Sequence, residues 1–388
     1  MTEDLERRYR IEKILPGGYG LCRDDDGVIL VDLAAPGDLV ELGEIRRRKG
    51  VRRGSIIRII EPGPGRVEPP CGLYGVCGGC DLQHLSYETQ LEAKTEILKD
   101  SLIRQGGFSP DDPLLHDLAV VGCPPWESRN RFQFHMTGEG PALMRRGSRQ
   151  TVRVESCPVA DQAIGPFLNS GWRDLPRRMT RPGERMPLFA AGGKLHAGEG
   201  ELELVVAGKT LRFDVRGFFQ SNLAALESMA KYIIALLPTV EGVGRSALDI
   251  YCGVGLFGAL LPPSYGTVHA VEINSRSLDY ARENIGPRGR FFAGPVDRWV
   301  ARQNGQTLGN LDLGIVDPPR TGLDKSLRLF LTKLRVPTLI YVSCDPVTLS
   351  RDLAELRSSY RVLSIRGFDL SPQTHHLETV VKLEAIGE

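Results

Sequence analysis

From Arg8 to Ile60 apolar and polar positions alternate in short runs, YRIEKIL, GVILVDL, DLVELGEI and SIIRII, broken by the turn signals PGGYG and DDDG. Period-two alternation between glycine and aspartate turns predicts short half-buried strands, and their spacing predicts a small OB-like β-barrel. The proline- and glycine-rich stretch EPGPGRVEPP (61–70) reads as a linker, which bounds a first domain at residues 1–65. In SYETQLEAKTEILKDSLIRQG the apolar residues recur at helical spacing, predicting one helix from Tyr87 to about Arg104 that ends at glycines. Strand-like patterns return in NRFQFHM, QTVRVESC and ELELVVAG, so residues 66–215 are expected to form a mixed α+β central domain. From Asn222 onward helices alternate with apolar strands: LAALESMAKYIIALL, ALDIYC, TVHAVE, LDLGIVD, TLIYVSC, a helix from Val347 and a terminal hairpin near GFDL and TVVKLEAI. This alternation predicts an α/β, Rossmann-like domain over 216–388 whose ligands gather beyond the carboxyl ends of its strands.

A chain of 388 residues is long enough for two or three cores, in line with that division. With 41% apolar and 25% charged residues the composition is that of a soluble protein. No apolar run approaches the roughly 18 residues of a membrane helix, and MTEDLERRYR lacks the apolar stretch of a secretory signal. A cytoplasmic protein without membrane contact is therefore expected, and a monomer. A net charge of +1 makes no global case for nucleic acid. Locally, seven basic residues (Arg46, Arg47, Arg48, Lys49, Arg52, Arg53, Arg58) fall between Ile45 and Ile60 without an acidic one. Further groups follow at Arg129–Arg153 and Arg173–Arg185. Such runs suit either a solvated face or RNA.

Eight cysteines in a reducing compartment are not expected to pair, so clustered thiols point to metal or cluster ligands. Cys71, Cys77 and Cys80 form C-x5-C-x2-C, with Cys157 farther along in ESCPVA. Four thiolates suit either a [4Fe–4S] cluster or tetrahedral zinc. The spacing is not the C-x3-C-x2-C of enzymes that split S-adenosylmethionine on a cluster.

Strand ALDIYC runs into Gly253-Val254-Gly255-Leu256-Phe257-Gly258, and Glu272 ends the next strand nineteen residues after Gly253. Glycines let a ligand approach the strand-to-helix turn, and an acid at that offset accepts ribose hydroxyls. Nicotinamide enzymes and methyltransferases share this pattern. Asp317-Pro318-Pro319-Arg320 after LDLGIV favours the methyltransferase, because two prolines stiffen a site wall. Cys344 ends TLIYVSC and precedes Asp345-Pro346, so its thiol is expected at a helix N-terminus, where the dipole favours thiolate. Carbon 5 of uracil is a poor nucleophile, and methylating it requires thiolate addition at carbon 6 and then a base to remove the carbon 5 proton. Glu378 in THHLETVV is the candidate base. Cys252, between strand and glycine turn, reads as a packing residue.

Together RVEPPC, GVCGGCDLQHLSYETQLEAK, GFFQSN, DIYCGVGLF, VEIN, VDPPRTG, YVSCDPVTLSRDL and THHLETV, in order along nearly the whole chain, resemble the RNA 5-methyluridine methyltransferases, in their iron–sulfur branch. The resemblance implies an N-terminal TRAM-like RNA-binding barrel, Cys344 as nucleophile, Glu378 as proton acceptor, and Cys71, Cys77, Cys80 and Cys157 as ligands of a [4Fe–4S] cluster. It implies that Gln220, Tyr251, Gly253, Gly255, Glu272 and Asp317 surround S-adenosylmethionine. Its substrates are a uridine of 23S rRNA, the first expectation here, or of the tRNA T-loop, flipped from its stack to reach the thiol. Phe218 and Phe219 are candidates to hold the RNA. The chain departs from the family pattern at Asp345, where asparagine is usual, at Leu256 and at Gln373. Asp345 either raises the neighbouring thiol pKa by its charge or turns away to cap the following helix. Two other classes are a non-catalytic RNA-binding protein of this fold and an iron–sulfur redox enzyme using nicotinamide.

Overall fold

The computed structural model describes residues 8–239, 244–303 and 308–387; the charged segment 1–7 lies outside them. The alternating N-terminal runs become short strands. Arg8–Arg10, Leu39–Leu42 and Ile56–Glu61 form one sheet, and Lys13–Leu15, Tyr19–Asp24, Gly27–Val31, Val51–Gly54 and Arg46–Arg48 form another. Their inward positions, Tyr9, Ile11, Cys22, Ile29, Val31 and Val40, share one small core.

The predicted helix spans Tyr87–Arg104, capped by Ser86, whose Oγ accepts from the Thr89 N–H at 3.3 Å. It buries Ala93, Ile97, Leu98 and Leu102. A five-stranded antiparallel sheet follows, with strand order Thr151–Arg153, Gly140–Met144, Arg131–Thr137, Arg185–Ala191, Lys194–Ala197, and a core that includes Phe132, Phe134 and Phe167. Two pieces of the expected central domain pack elsewhere. The hairpin Glu201–Val206 and Lys209–Asp214 sends Leu202, Val206, Leu211 and Phe213 into the core of the C-terminal sheet. Val120–Val121 joins that sheet as an edge strand.

With its strands numbered in chain order, the large sheet contains β1 (Val120–Val121), β2 (Arg245–Ile250), β3 (Tyr265–Glu272), β4 (Gly289–Ala293), β5 (Asn310–Val316), β6 (Thr338–Ser343), β7 (Tyr360–Phe368) and β8 (Glu378–Ala385). Their spatial order is β4-β3-β2-β5-β6-β8-β7-β1. Strands β2 to β6 are parallel, as continuous apolar runs covered by helices should be. The terminal hairpin turns β8 antiparallel to β6, so the carboxyl end of β6 meets the start of β8. Among the described residues, no helix is long and apolar enough to cross a membrane.

Candidate active site

Parallel register brings the carboxyl ends of three strands into line. Ile250 pairs with Val271 and Val316, so Tyr251, Glu272 and Asp317 follow side by side. Antiparallel register does the rest: Ser343 pairs with Thr379, which sets Cys344 opposite Glu378. These residues and Gln220, Gly253, Pro318, Pro319 and Arg320 line one cavity of about 960 Å³. Every catalytic and cofactor residue expected from the sequence lines it except Gly255, which stands behind the wall. A Cβ on Gly255 would come within 3.0 Å of Ala281, so this glycine serves close helix packing. Gly253, at φ +56°, has open space where a side chain would stand, leaving its backbone free to face a ligand. Glu272 braces the turn, accepting from the Gly253 N–H at 3.0 Å and the Asn274 N–H at 2.7 Å.

The cavity is acidic. Burial lifts the Asp317 carboxyl to about 7, with Asp249 adding to the rise. Glu378 is raised well above the ordinary glutamate value by burial and by Asp317, and Arg320 pulls it back. Cys344 was expected to favour thiolate at its helix N-terminus. The structure corrects this: burial, then the Glu378 and Asp317 charges, push the thiol up to about 12. Asp345 is the smallest of the named contributors. Its side chain turns to cap the helix Pro346–Leu356, accepting from Val347 N–H at 3.0 Å and Thr348 N–H at 2.8 Å.

Residues 297–386 match the tRNA (uracil-5-)-methyltransferase family. An uncharacterised RNA methyltransferase of Streptomyces avermitilis is 31% identical, aligned over 99% of both chains. Another, from Treponema denticola, is 30% identical over 96% of this chain and 97% of its own. The chain belongs to the RNA uracil-5-methyltransferase family. In fold it is similar to the Pyrococcus abyssi tRNA (uracil-54, C5)-methyltransferase, solved with S-adenosyl-L-homocysteine, at a TM-score of 0.74 and 24% identity, covering 97% of this chain and all of that one.

Against that background, Cys71, Cys77, Cys80 and Cys157 are brought together from the start and the middle of the central segment, lining one cavity of about 370 Å³. Among the described residues, no group of three or more His, Cys, Asp or Glu converges closely enough to grip a single ion. Cys252 is 5% exposed and packs in the core, as expected of it. Phe218 and Phe219 part company: Phe218 is 69% exposed at the cavity lip, whereas Phe219 is buried and stacks on Phe213 with ring centroids 4.2 Å apart. Phe219 is therefore a core residue. The basic run divides too. Arg52 is paired with Asp24, and Arg58 with Glu41 at 2.6 Å, while Arg47, Arg48 and Lys49 stand exposed at a hairpin tip.

Two residues were given no role of their own by the sequence reading. Asp249, inside ALDIYC, is 1% exposed beneath the glycine turn and accepts from the Gly258 N–H at 2.8 Å; an acid in an otherwise apolar strand was the available signal. Arg320 closes the proline wall, and its Nη2 donates to His376 Nε2 at 3.0 Å. Burial and the neighbouring His375 lower His376 to about 3, so it is the neutral acceptor this bond requires.

Proposed function

We propose that this enzyme methylates carbon 5 of a uridine in structured RNA, with Cys344 as nucleophile and Glu378 as proton acceptor. The observation that carries this reading is the β6–β8 register, which sets the thiol and the carboxylate opposite each other on the cavity that also holds the glycine turn. The cavity fits S-adenosylmethionine: open backbone at Gly253, Glu272 for the ribose, and Gln220, Tyr251 and Asp317 on the walls. When bound, this cofactor supplies an electrophilic methyl group.

Cys344 loses its proton to solvent, its thiolate Sγ bonds carbon 6 of the uracil, and the displaced π electrons make carbon 5 nucleophilic. After carbon 5 has gained its methyl, Glu378 takes the carbon 5 hydrogen as a proton, the carbon–sulfur bond breaks, and the ring double bond returns. A carboxylate whose pKa is raised by burial is a stronger base than an ordinary glutamate, which suits this step. Arg320, beside both groups, steadies their charged forms.

The two N-terminal sheets act as a TRAM-like barrel for RNA, with Arg47, Arg48 and Lys49 toward phosphates and the exposed Phe218 at the cavity mouth for a flipped base. The N-terminal sheets serve RNA binding, the segment after residue 65 carries the cysteines, and the C-terminal sheet, with the hairpin 201–214 and the edge strand Val120–Val121, forms the catalytic unit. Cys71, Cys77, Cys80 and Cys157 hold a [4Fe–4S] cluster. The likeness of the cysteine loop to the iron–sulfur branch supports the cluster over tetrahedral zinc, and the four thiols share one cavity. The enzyme works as a cytoplasmic monomer. The cysteine loop favours 23S rRNA as substrate, through the iron–sulfur branch it resembles. A T-loop uridine of tRNA is the second reading, favoured by the full-length likeness to the Pyrococcus abyssi enzyme.

Incubating the protein with labelled S-adenosylmethionine and with rRNA or tRNA in turn decides both points: label at carbon 5 of one RNA is expected, and label in neither rejects the activity. Iron and sulfide content and the visible absorption of anaerobically purified protein test the cluster, and stoichiometric zinc without iron would replace it.

A further inference from the structure

The turn Asp369–Leu377 delivers Glu378, yet much of what fixes it comes from outside the C-terminal sheet. The backbone N–H groups of Asp81 and Leu82, next after Cys80, both donate to the Gln373 carbonyl, at 2.8 and 2.9 Å. Gln90 exchanges two bonds with Gln373: its Nε2 donates to Gln373 Oε1 at 2.9 Å, and its Oε1 accepts from the Gln373 N–H at 3.0 Å. Lys94 Nζ donates to Asp369 Oδ1 at 2.6 Å, with both side chains fully buried. Gln373 sits at φ +67°, a left-handed conformation that is strained for a side-chain-bearing residue and persists only where neighbours fix it.

The Asp81 side chain is the hub. Its Oδ2 meets His375 Nδ1 at 2.6 Å, and its Oδ1 accepts from Arg146 Nη1 at 2.9 Å. Arg146 Nη2 in turn donates to Asp32 Oδ1 at 3.0 Å, in the N-terminal segment. Gly18 of that segment presses on the same point, since a Cβ there would lie 2.9 Å from Asp81 Cβ and 3.7 Å from His375 Cβ. Next along the turn, His376 holds Arg320. A polar chain thus runs from the N-terminal segment, through the cysteine loop, to His375; its neighbour His376 holds Arg320, and Glu378 follows two residues on.

We propose that Asp81 is a positioning residue for proton removal: by holding His375 it sets the placement of Glu378 and, through His376, of Arg320. The seat of the cysteine loop is thereby felt at release of the finished base, after cofactor binding and methyl transfer. This rests on Glu378 being the proton acceptor.

A misplaced acceptor leaves the methylated uracil attached to Cys344, so the protein–RNA adduct should accumulate. The test compares wild type, Asp81→Ala, His375→Asn and Glu378→Gln as full-length protein, measuring S-adenosylmethionine affinity by calorimetry, steady-state turnover, and adduct that survives denaturing electrophoresis. For Asp81→Ala and His375→Asn, affinity within twofold of wild type, turnover reduced at least tenfold and adduct raised at least fivefold are expected, with partial recovery in Asp81→Asn, which retains an acceptor oxygen. Glu378→Gln should accumulate adduct most strongly. Failure of Glu378→Gln to do so rejects the proton-acceptor assignment itself. If Glu378→Gln accumulates adduct while Asp81→Ala and His375→Asn do not, whether their turnover falls or stays unchanged, the positioning role is overturned. Loss of cofactor affinity in both of these variants overturns it as well, because a merely structural contact would then suffice.

Discussion

Replacing Asp249 with asparagine should make the cofactor-free protein more stable at alkaline pH than at acid pH relative to wild type. Asp249 is 1% exposed and its Oδ1 has no hydrogen-bond partner; only Oδ2 is satisfied, by the Gly258 N–H. Burial, with Glu272 adding, raises its carboxyl from 3.8 to about 7. The folded-state value therefore exceeds the unfolded one, and the folded state holds a proton that the unfolded chain has already released. Stability contributed by this group is greatest below the unfolded pKa and falls as pH rises toward 7, after which it is level. Between pH 5 and 7 that is two pH units at about 1.4 kcal/mol each, or about 3 kcal/mol. Asparagine retains an oxygen for Gly258 and removes the titration, while the cost of its buried NH₂ is the same at every pH. Urea unfolding of both proteins at pH 5, 6, 7 and 8 isolates the effect as a change in their difference. Asp249→Asn should gain about 3 kcal/mol on wild type across that range, and parallel stability curves would refute the argument.

Cys344→Ala should abolish both methyl transfer and the covalent adduct with 5-fluorouridine RNA; an adduct that persists would move the nucleophile elsewhere. Because the Cys344 thiol is pushed up to about 12, its thiolate fraction rises about tenfold per pH unit. kcat/KM, which reports the free enzyme, should climb steadily from pH 6 to 9, and a plateau already at pH 7 would contradict the assigned environment. Glu272→Ala removes a carboxylate that braces Gly253 and lines the cavity. Losing bonds to a charged group at about 1.5–3 kcal/mol should weaken S-adenosylmethionine binding about 10- to 100-fold by calorimetry, and an unchanged affinity would displace the cofactor from this turn. Joint replacement of Arg47 and Arg48 by alanine should lower the slope of log affinity against log salt by about 1.5, at roughly 0.7–0.9 per phosphate contact. An unaltered slope would take RNA away from the hairpin tip.

The strand-end residues Glu272, Asp317 and Cys344 were legible because a parallel sheet has one ligand-binding edge, and alternating strands and helices reveal which ends form it. Glu378 was recognisable only through family likeness. Its meeting with Cys344 depends on the register of an antiparallel pair, and a one-residue slip would send it to the other face. The difference between Phe218 and Phe219 was hidden as well: the two are adjacent in sequence outside any strand, and only the packing against Phe213 shows which one is inside. Asp81 and His375 lie 294 residues apart and carry no local pattern, so their contact became visible only when the cysteine loop was seen against the β7–β8 turn. The central boundary was drawn from strand propensity, which does not say which core a hairpin joins; the apolar faces of Leu202 and Leu211 decided that.

Asp345 is the residue whose sequence context promised the most disturbance, and its effect is displaced onto other groups. Spent on two helix N–H bonds, its carboxylate contributes least to the rise in the Cys344 pKa, while burial and Glu378 contribute most. Dipole and desolvation act in opposite directions on a thiol at a buried helix start, and desolvation wins here. The consequence extends to the whole cavity. Asp317 on its wall and Asp249 beneath it are both raised to about 7, Glu378 is raised well above its ordinary value, and among the described lining side chains only Arg320 is a Lys or Arg. Such a site holds protons at rest, because each ionised group would face others of like sign in a poorly solvated space. An entering positive charge reverses the balance by favouring the anionic form of every one of them. Burial and like charge thus favour the protonated forms of Cys344 and Glu378, and a thiol kept protonated is also a poor target for oxidation.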